Sequence, residues 1–150
     1  MVFKSTSANN TKQFAVQIAK KIKKLPKKNE GACIVALIGD LGAGKTTFIQ
    51  GFVKEFGITR RITSPTFLLM KRYALKNEMF KNLYHLDAYR VAELQELSPL
   101  GIEAILENPQ NLVLVEWADN IKGKQLRHAI QLVFKHGKKE NERSILIHDA

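Results

Sequence analysis

The sequence predicts a three-layer α/β domain: a mixed, mostly parallel central sheet, helices on both of its faces, and an antiparallel hairpin toward the C-terminal end. Three observations carry this. Residues 32–38 read Ala-Cys-Ile-Val-Ala-Leu-Ile, an unbroken apolar run without alternation, which is the pattern of a strand covered on both faces. That run enters a glycine-rich stretch, residues 39–44, which opens into an amphipathic segment marked by Phe48, Ile49, Phe52, Val53 and Phe56. Two late apolar runs, residues 129–134 and 144–147, flank His136-Gly137-Lys138, the composition of a hairpin connection.

The remaining elements follow in chain order. Phe14, Ile18, Ile22 and Leu25 recur at helical spacing with lysines opposite, so a first helix is expected over about residues 10–24. Ser7, Asn9 and Asn10 are its candidate caps. Residues 26–30 form a loop. The helix after the glycine-rich stretch stops at Gly57. Residues 60–65 are a loop, and residues 67–73 and 83–86 are strands joined by a turn at Lys76-Asn77. Residues 93–106 are helical with an interruption near Ser98-Pro99, and residues 112–115 are a second buried strand.

With 150 residues, the chain is the size of one domain, 1–150, and 45% hydrophobic with 25% charged residues is ordinary globular composition. No apolar run approaches the roughly 20 residues that span a bilayer, and the first residues lack a signal-peptide core, so a cytoplasmic location is expected. The single cysteine, Cys33, lies in the apolar run and reads as a small buried hydrophobe. No His/Cys spacing suggests zinc. Net charge is +10, and six lysines fall within residues 20–28. Such a run is either a solvated helix face or a contact for nucleic acid or an acidic protein.

Gly39-Asp40-Leu41-Gly42-Ala43-Gly44-Lys45-Thr46 satisfies G-x-x-x-x-G-K-[ST] at every fixed position. Phosphate oxygens must meet several backbone N–H groups at once, so the loop wraps tightly and the glycines keep side chains out of the way. The helix beginning at Lys45 points its N-terminal dipole at the phosphates. Lys45 supplies a point charge to the β- and γ-phosphates, and the Thr46 hydroxyl is a Mg²⁺ ligand. At average residue usage the four fixed positions coincide by chance in roughly half a percent of chains this long. A buried strand before and an amphipathic helix after reduce that chance further, so the segment is read as a P-loop.

A P-loop site also needs a carboxylate at the end of a neighbouring strand, to hold the magnesium or its water. Glu116 ends residues 112–115, and Asp87 ends residues 83–86. Both belong to strands whose carboxyl ends form the ligand crevice of such a sheet. His85 shares a strand face with Asp87 and either orients it or simply packs. Thr63-Ser64-Pro65-Thr66 is either a switch loop sensing γ-phosphate or an ordinary Ser-Pro turn. Trp117 either stacks near the nucleotide or fills the core.

These segments together resemble the TsaE (YjeE) family of bacterial ATPases from the machinery that installs N6-threonylcarbamoyl on tRNA adenosine. The resemblance rests on Gly-Asp-Leu-Gly-Ala-Gly-Lys-Thr-Thr (39–47), Ser-Pro-Thr (64–66), His-Leu-Asp-Ala-Tyr-Arg (85–90) and Val-Glu-Trp (115–117), and covers residues 5–147. The Walker loop is shared with many NTPases, whereas the Asp-x-Tyr-Arg and Glu-Trp elements in this order are far more specific. The resemblance implies ATP and Mg²⁺ as ligands, with Thr46 and Glu116 on the metal and the loop residues through Thr47 on the phosphates. It implies a role for Asp87 in hydrolysis and a position for Thr11 near the base. It also implies two partner proteins, TsaB and TsaD, with TsaD performing the transfer and this subunit resetting the complex.

Three other readings compete. A small-molecule P-loop kinase needs an acceptor pocket and an arginine-bearing lid, for which Arg60-Arg61 is the nearest candidate. A GTP-dependent switch needs an Asn-Lys-x-Asp segment, which this sequence lacks, so ATP is favoured. A non-catalytic RNA-binding module is supported by charge alone.

Overall fold

The computed structural model describes residues 1–26, 30–63, 69–76 and 79–149. In chain order it forms β1 (Val2–Ser5), α1 (Ala8–Lys23), β2 (Cys33–Gly39), α2 (Lys45–Lys54), β3 (Met70–Ala74), β4 (Asn82–Asp87), a 3₁₀ helix (Leu94–Leu100), α3 (Ile102–Glu107), β5 (Asn111–Glu116), a 3₁₀ turn (Ala118–Asn120), β6 (Ile130–His136) and β7 (Arg143–His148). The strands form one seven-stranded sheet in the order β1-β7-β6-β2-β5-β4-β3. The four central strands are mutually parallel, through β6–β2, β2–β5 and β5–β4. β7 and β3 run antiparallel to their neighbours, and β1 runs antiparallel to β7. This is the mixed sheet, parallel in the centre, that the sequence predicts.

The unalternated runs are explained by two cores, one on each face. Val35 and Leu37 of β2, with Leu112 and Leu114 of β5, pack against α1 and α2, while Ile34, Ala36, Val113 and Val115 pack against the 3₁₀ helix and α3. Successive strand residues point to opposite faces, so a strand covered on both sides must be apolar at every position. Full burial of each such side chain contributes about 1.5–3 kcal/mol. On the α1/α2 side, aromatic rings run in sequence from Phe3 stacked on Phe14 (4.0 Å) through Phe48, Phe52 and Phe56 to Phe80.

Three features depart from the predicted elements. β1 was not expected: four residues carry too little pattern, and the strand is held by pairing with β7 at the far end of the chain. α1 starts two residues earlier than predicted because Ser7 caps it, its Oγ accepting from the Asn10 N–H at 3.0 Å, while Asn10 Oδ1 accepts from the Thr6 N–H at 3.1 Å. Residues 93–106 break at Gly101 (φ 78°), not at Ser98-Pro99; Pro99 sits inside the 3₁₀ helix. The first strand of the β3–β4 pair begins at Met70, and the predicted positions Phe67 and Leu68 lie outside the described residues, as does Asn77 of the predicted turn. No helix among the described residues is long and apolar enough to cross a membrane.

Candidate functional site

β2 ends at Gly39 and α2 begins at Lys45, so residues 40–44 turn the chain at the carboxyl edge of the sheet. Gly39 lies against β6, where a Cβ would fall 2.6 Å from the Phe134 carbonyl oxygen, closer than any side chain allows. Gly44 occupies the N-cap position of α2 in a left-handed conformation (φ 103°) with no side-chain cap. The first helical bond runs from the Phe48 N–H to the Gly44 carbonyl, 3.0 Å, so the N–H groups of Lys45, Thr46 and Thr47 precede the intrahelical ladder. Such a helix start, fed by a glycine turn, offers free N–H donors of the kind that bind anions. Asp40, Leu41 and Thr46 are exposed, Thr47 is half-buried and Ala43 is buried. The turn closes on itself through the Ala43 N–H donating to the Asp40 carbonyl, 3.1 Å.

Lys45 is buried although it is charged. Its Nζ donates to the Gly39 carbonyl, lies 3.4 Å from the Asp40 carbonyl, and sits 3.6 Å from the centroid of the Trp117 ring. Burial lowers its pKa below the ordinary lysine value, while the charges of Glu116, Asp119, Asp40 and Asp87 pull the other way. Trp117 is therefore part of the loop's surroundings: half-buried, left-handed (φ 58°), and in edge contact with Tyr89 at 5.0 Å.

The two acids meet as the sequence suggests. Asp87 and Glu116 are register partners at the carboxyl ends of the parallel strands β4 and β5, and both are buried. Asp87 Oδ1 accepts from the Tyr89 N–H at 3.0 Å. His85 does not merely pack: its Nε2 is 2.7 Å from Glu116 Oε2 across the strand pair. Thr11 lies in the first turn of α1, its hydroxyl buried and hydrogen-bonded to Ser5 Oγ at 2.6 Å. Arg90 is exposed, and Ser64, Pro65 and Thr66 lie outside the described residues.

Sequence reasoning missed two neighbours of the loop. Arg143 Nη2 donates to the Gly42 carbonyl at 3.1 Å, and His136 Cε1 is 3.9 Å from where a Gly42 Cβ would stand. They come from the hairpin about a hundred residues later, and no local motif marks them. Elsewhere, a cavity of about 250 Å³ is lined by Lys12, Gln50, Lys54, Thr59, Arg60 and Arg61 among others, along α1, α2 and the segment after α2. Of the predicted basic run, Lys23 is paired with Glu55 at 3.1 Å, and Lys27 and Lys28 lie outside the described residues.

A buried parallel strand, a glycine turn, a helix start and carboxylates on the neighbouring strand ends define a domain of the P-loop NTPase fold. A family model described as "Threonylcarbamoyl adenosine biosynthesis protein TsaE" matches residues 5–145. The chain belongs to the TsaE family. It is 41% identical over 112 residues to the "tRNA threonylcarbamoyladenosine biosynthesis protein TsaE" of Bacillus subtilis, covering 75% of this chain and 66% of that protein. The Rickettsia typhi protein of the same name is 42% identical over 117 residues, covering 77% of this chain and 73% of that one. The crystal structure of Bacillus subtilis YdiB superposes with a TM-score of 0.71 at 29% identity, covering 99% of this chain and 84% of that one.

Proposed function

We propose that this protein is a Mg²⁺-dependent ATPase acting as the accessory, cycle-resetting subunit of the system that makes threonylcarbamoyladenosine in tRNA, in the cytoplasm, with TsaB and TsaD as partners. The observation that carries the reading is the convergence at one sheet edge of the Gly39–Gly44 turn, buried Lys45, and the paired carboxylates Asp87 and Glu116. Family membership supports the pathway.

The residues fit the ligands. Gly42 and Gly44, both left-handed, present bare backbone at the helix start, and the helix-start N–H groups suit phosphate oxygens. Magnesium bound with nucleotide takes one or two protein oxygen ligands plus phosphates, and Thr46 and Glu116 are hard oxygen donors of that kind. The metal would neutralise charge building on the phosphates; the protein's part is to bind and orient. Lys45 exchanges its carbonyl partners for phosphate oxygens, a stronger charge-assisted acceptor. Asp87 orients the attacking water and takes its proton.

The test is calorimetric titration of Mg-ATP into the wild type and Lys45→Ala. Loss of the charge-assisted contacts is expected to cost a few kcal/mol, on the order of a hundredfold in affinity. A Lys45→Ala protein that binds Mg-ATP as the wild type does would remove the reading.

A further inference from the structure

The hairpin of β6 and β7 ends beside the glycine turn, and its last strand pair is His136 with Arg143. One guanidinium there gathers three carbonyls. Arg143 Nη2 donates to Gly42 O at 3.1 Å, 101 positions earlier in the chain, while Nη1 donates to the carbonyls of Glu140 and of Glu142, the latter at 2.8 Å. Its Cγ stands 3.8 Å from the position of a Gly44 Cβ, beside Phe134 Cδ1 at 4.0 Å. The side chain thus ties the hairpin turn to the outer wall of the phosphate loop.

The bond falls on a peptide unit that matters. The peptide is planar, so the direction of the Gly42 carbonyl sets the direction of the Ala43 N–H. That N–H donates to the Asp40 carbonyl at 3.1 Å. The 42–43 peptide plane is therefore pinned at both ends, by Arg143 outside and Asp40 inside. Gly42 (φ 75°) supplies its carbonyl and Gly44 (φ 103°) follows Ala43, both of the residue type that loses most freedom on being ordered. Several N–H groups can converge on one anion only if that freedom has been removed beforehand.

We propose that Arg143 is a positioning residue that preorganises the phosphate loop, with the β6–β7 hairpin as its rigid support. The proposal rests on the nucleotide-binding reading above. It differs from an arginine finger: the guanidinium acts through the Gly42 carbonyl, so it strengthens ground-state and transition-state binding alike.

The experiment uses the full chain as wild type, Arg143→Lys and Arg143→Gln. Calorimetry gives ADP and Mg-ATP affinity, phosphate release gives kcat and KM, and thermal unfolding reports the fold. Lysine keeps the charge but cannot span three carbonyls with a planar fork; glutamine keeps a donor without the charge. Both variants are expected to bind nucleotide roughly ten-fold more weakly, with KM raised in step and kcat within about two-fold of wild type. Arg143→Lys, the conservative variant, carries the test if Arg143→Gln does not fold. Wild-type affinity in a folded variant overturns the proposal, including the case in which only the unfolding temperature falls. A drop in kcat at unchanged KM also overturns it, in favour of a transition-state contact. Failure of the nucleotide reading looks different: the folded wild type itself binds no ADP, which overturns both.

Discussion

His85 Nε2 lies 2.7 Å from Glu116 Oε2, and both side chains are buried. The other ring nitrogen, Nδ1, is buried without a hydrogen-bond partner among the described residues. A neutral ring with its proton on Nε2 satisfies the pair: it donates to the carboxylate and leaves only a lone pair, not an N–H, at Nδ1. The contact crosses from β4 to β5 and fixes the direction of the carboxylate proposed as a metal-site residue.

His85→Ala is therefore expected to reduce the magnesium-dependent part of ATP binding, since partners that orient a metal-ligating group typically contribute 10–100-fold to metal affinity. Glu116→Ala should lose that part more completely, because the oxygen donor itself is gone. The measurement is ATP affinity titrated with and without Mg²⁺ for each protein. An unchanged magnesium enhancement in His85→Ala would reduce the histidine to packing, and the same result in Glu116→Ala would remove it from the metal site.

Asp87→Asn is expected to slow hydrolysis more than it weakens binding. The amide keeps an oxygen for the Tyr89 N–H, so the local turn is preserved. It cannot accept a proton from water, and general-base contributions are typically about 10²–10⁴-fold. Single-turnover hydrolysis beside calorimetric affinity separates the two effects; equal rates in both proteins would refute the role.

Gly51 sits inside α2, where replacing glycine by alanine ordinarily gains about 0.5–1 kcal/mol. Here the sign reverses. A Cβ at Gly51 would stand 2.6 Å from the Lys12 carbonyl oxygen and 2.7 Å from its Cα, both backbone of α1. The two helices would have to separate, and overpacking of this kind costs about 1–3 kcal/mol. Gly51→Ala should lower the unfolding midpoint by several degrees, on the order of 2–4 °C per kcal/mol for a chain of this size. A stabilised variant would mean that α1 and α2 are not so close.

The legible parts of the molecule were those written in short stretches of sequence. Residues 39–46 specify their own strand–loop–helix context, and residues 32–38 and 112–115 are apolar at consecutive positions because both faces of the sheet are covered. Asp87 and Glu116 could be placed together because each ends such a strand. The unread parts depend on distant partners. β1 exists through β7, and Phe3 is half-buried where it stacks on Phe14 of α1. His85 looks toward Asp87 when neighbours in sequence are considered, yet its partner is Glu116, 31 positions later. Arg143 resembles any surface arginine of a charged turn until the hairpin is folded against Gly42.

The isolated protein is expected to hydrolyse ATP slowly and to accelerate with its partners. Fast P-loop hydrolysis needs positive charge on the transition state, often from an arginine finger. Arg143 already spends its guanidinium on three carbonyls, and Arg90, the arginine of the Asp-x-Tyr-Arg segment, is exposed. Lys45 is held between loop carbonyls and the Trp117 ring, so nucleotide must compete for its ammonium before the site is productive. A docking protein that supplies charge, or that favours the productive arrangement of these groups, needs only about 1.4 kcal/mol of extra transition-state stabilisation for a ten-fold increase in rate. Basic side chains for such docking are present on this chain, around the cavity lined by Lys12, Lys54, Arg60 and Arg61. Steady-state phosphate release is measured for the protein alone, with TsaB and TsaD, and with an unrelated acidic protein. The expected outcome is at least ten-fold stimulation by the partners at saturating ATP, and none by the acidic control. Equal stimulation by the control would reduce the effect to charge, and a fast rate unchanged by TsaB and TsaD would show an ATPase that needs no partner.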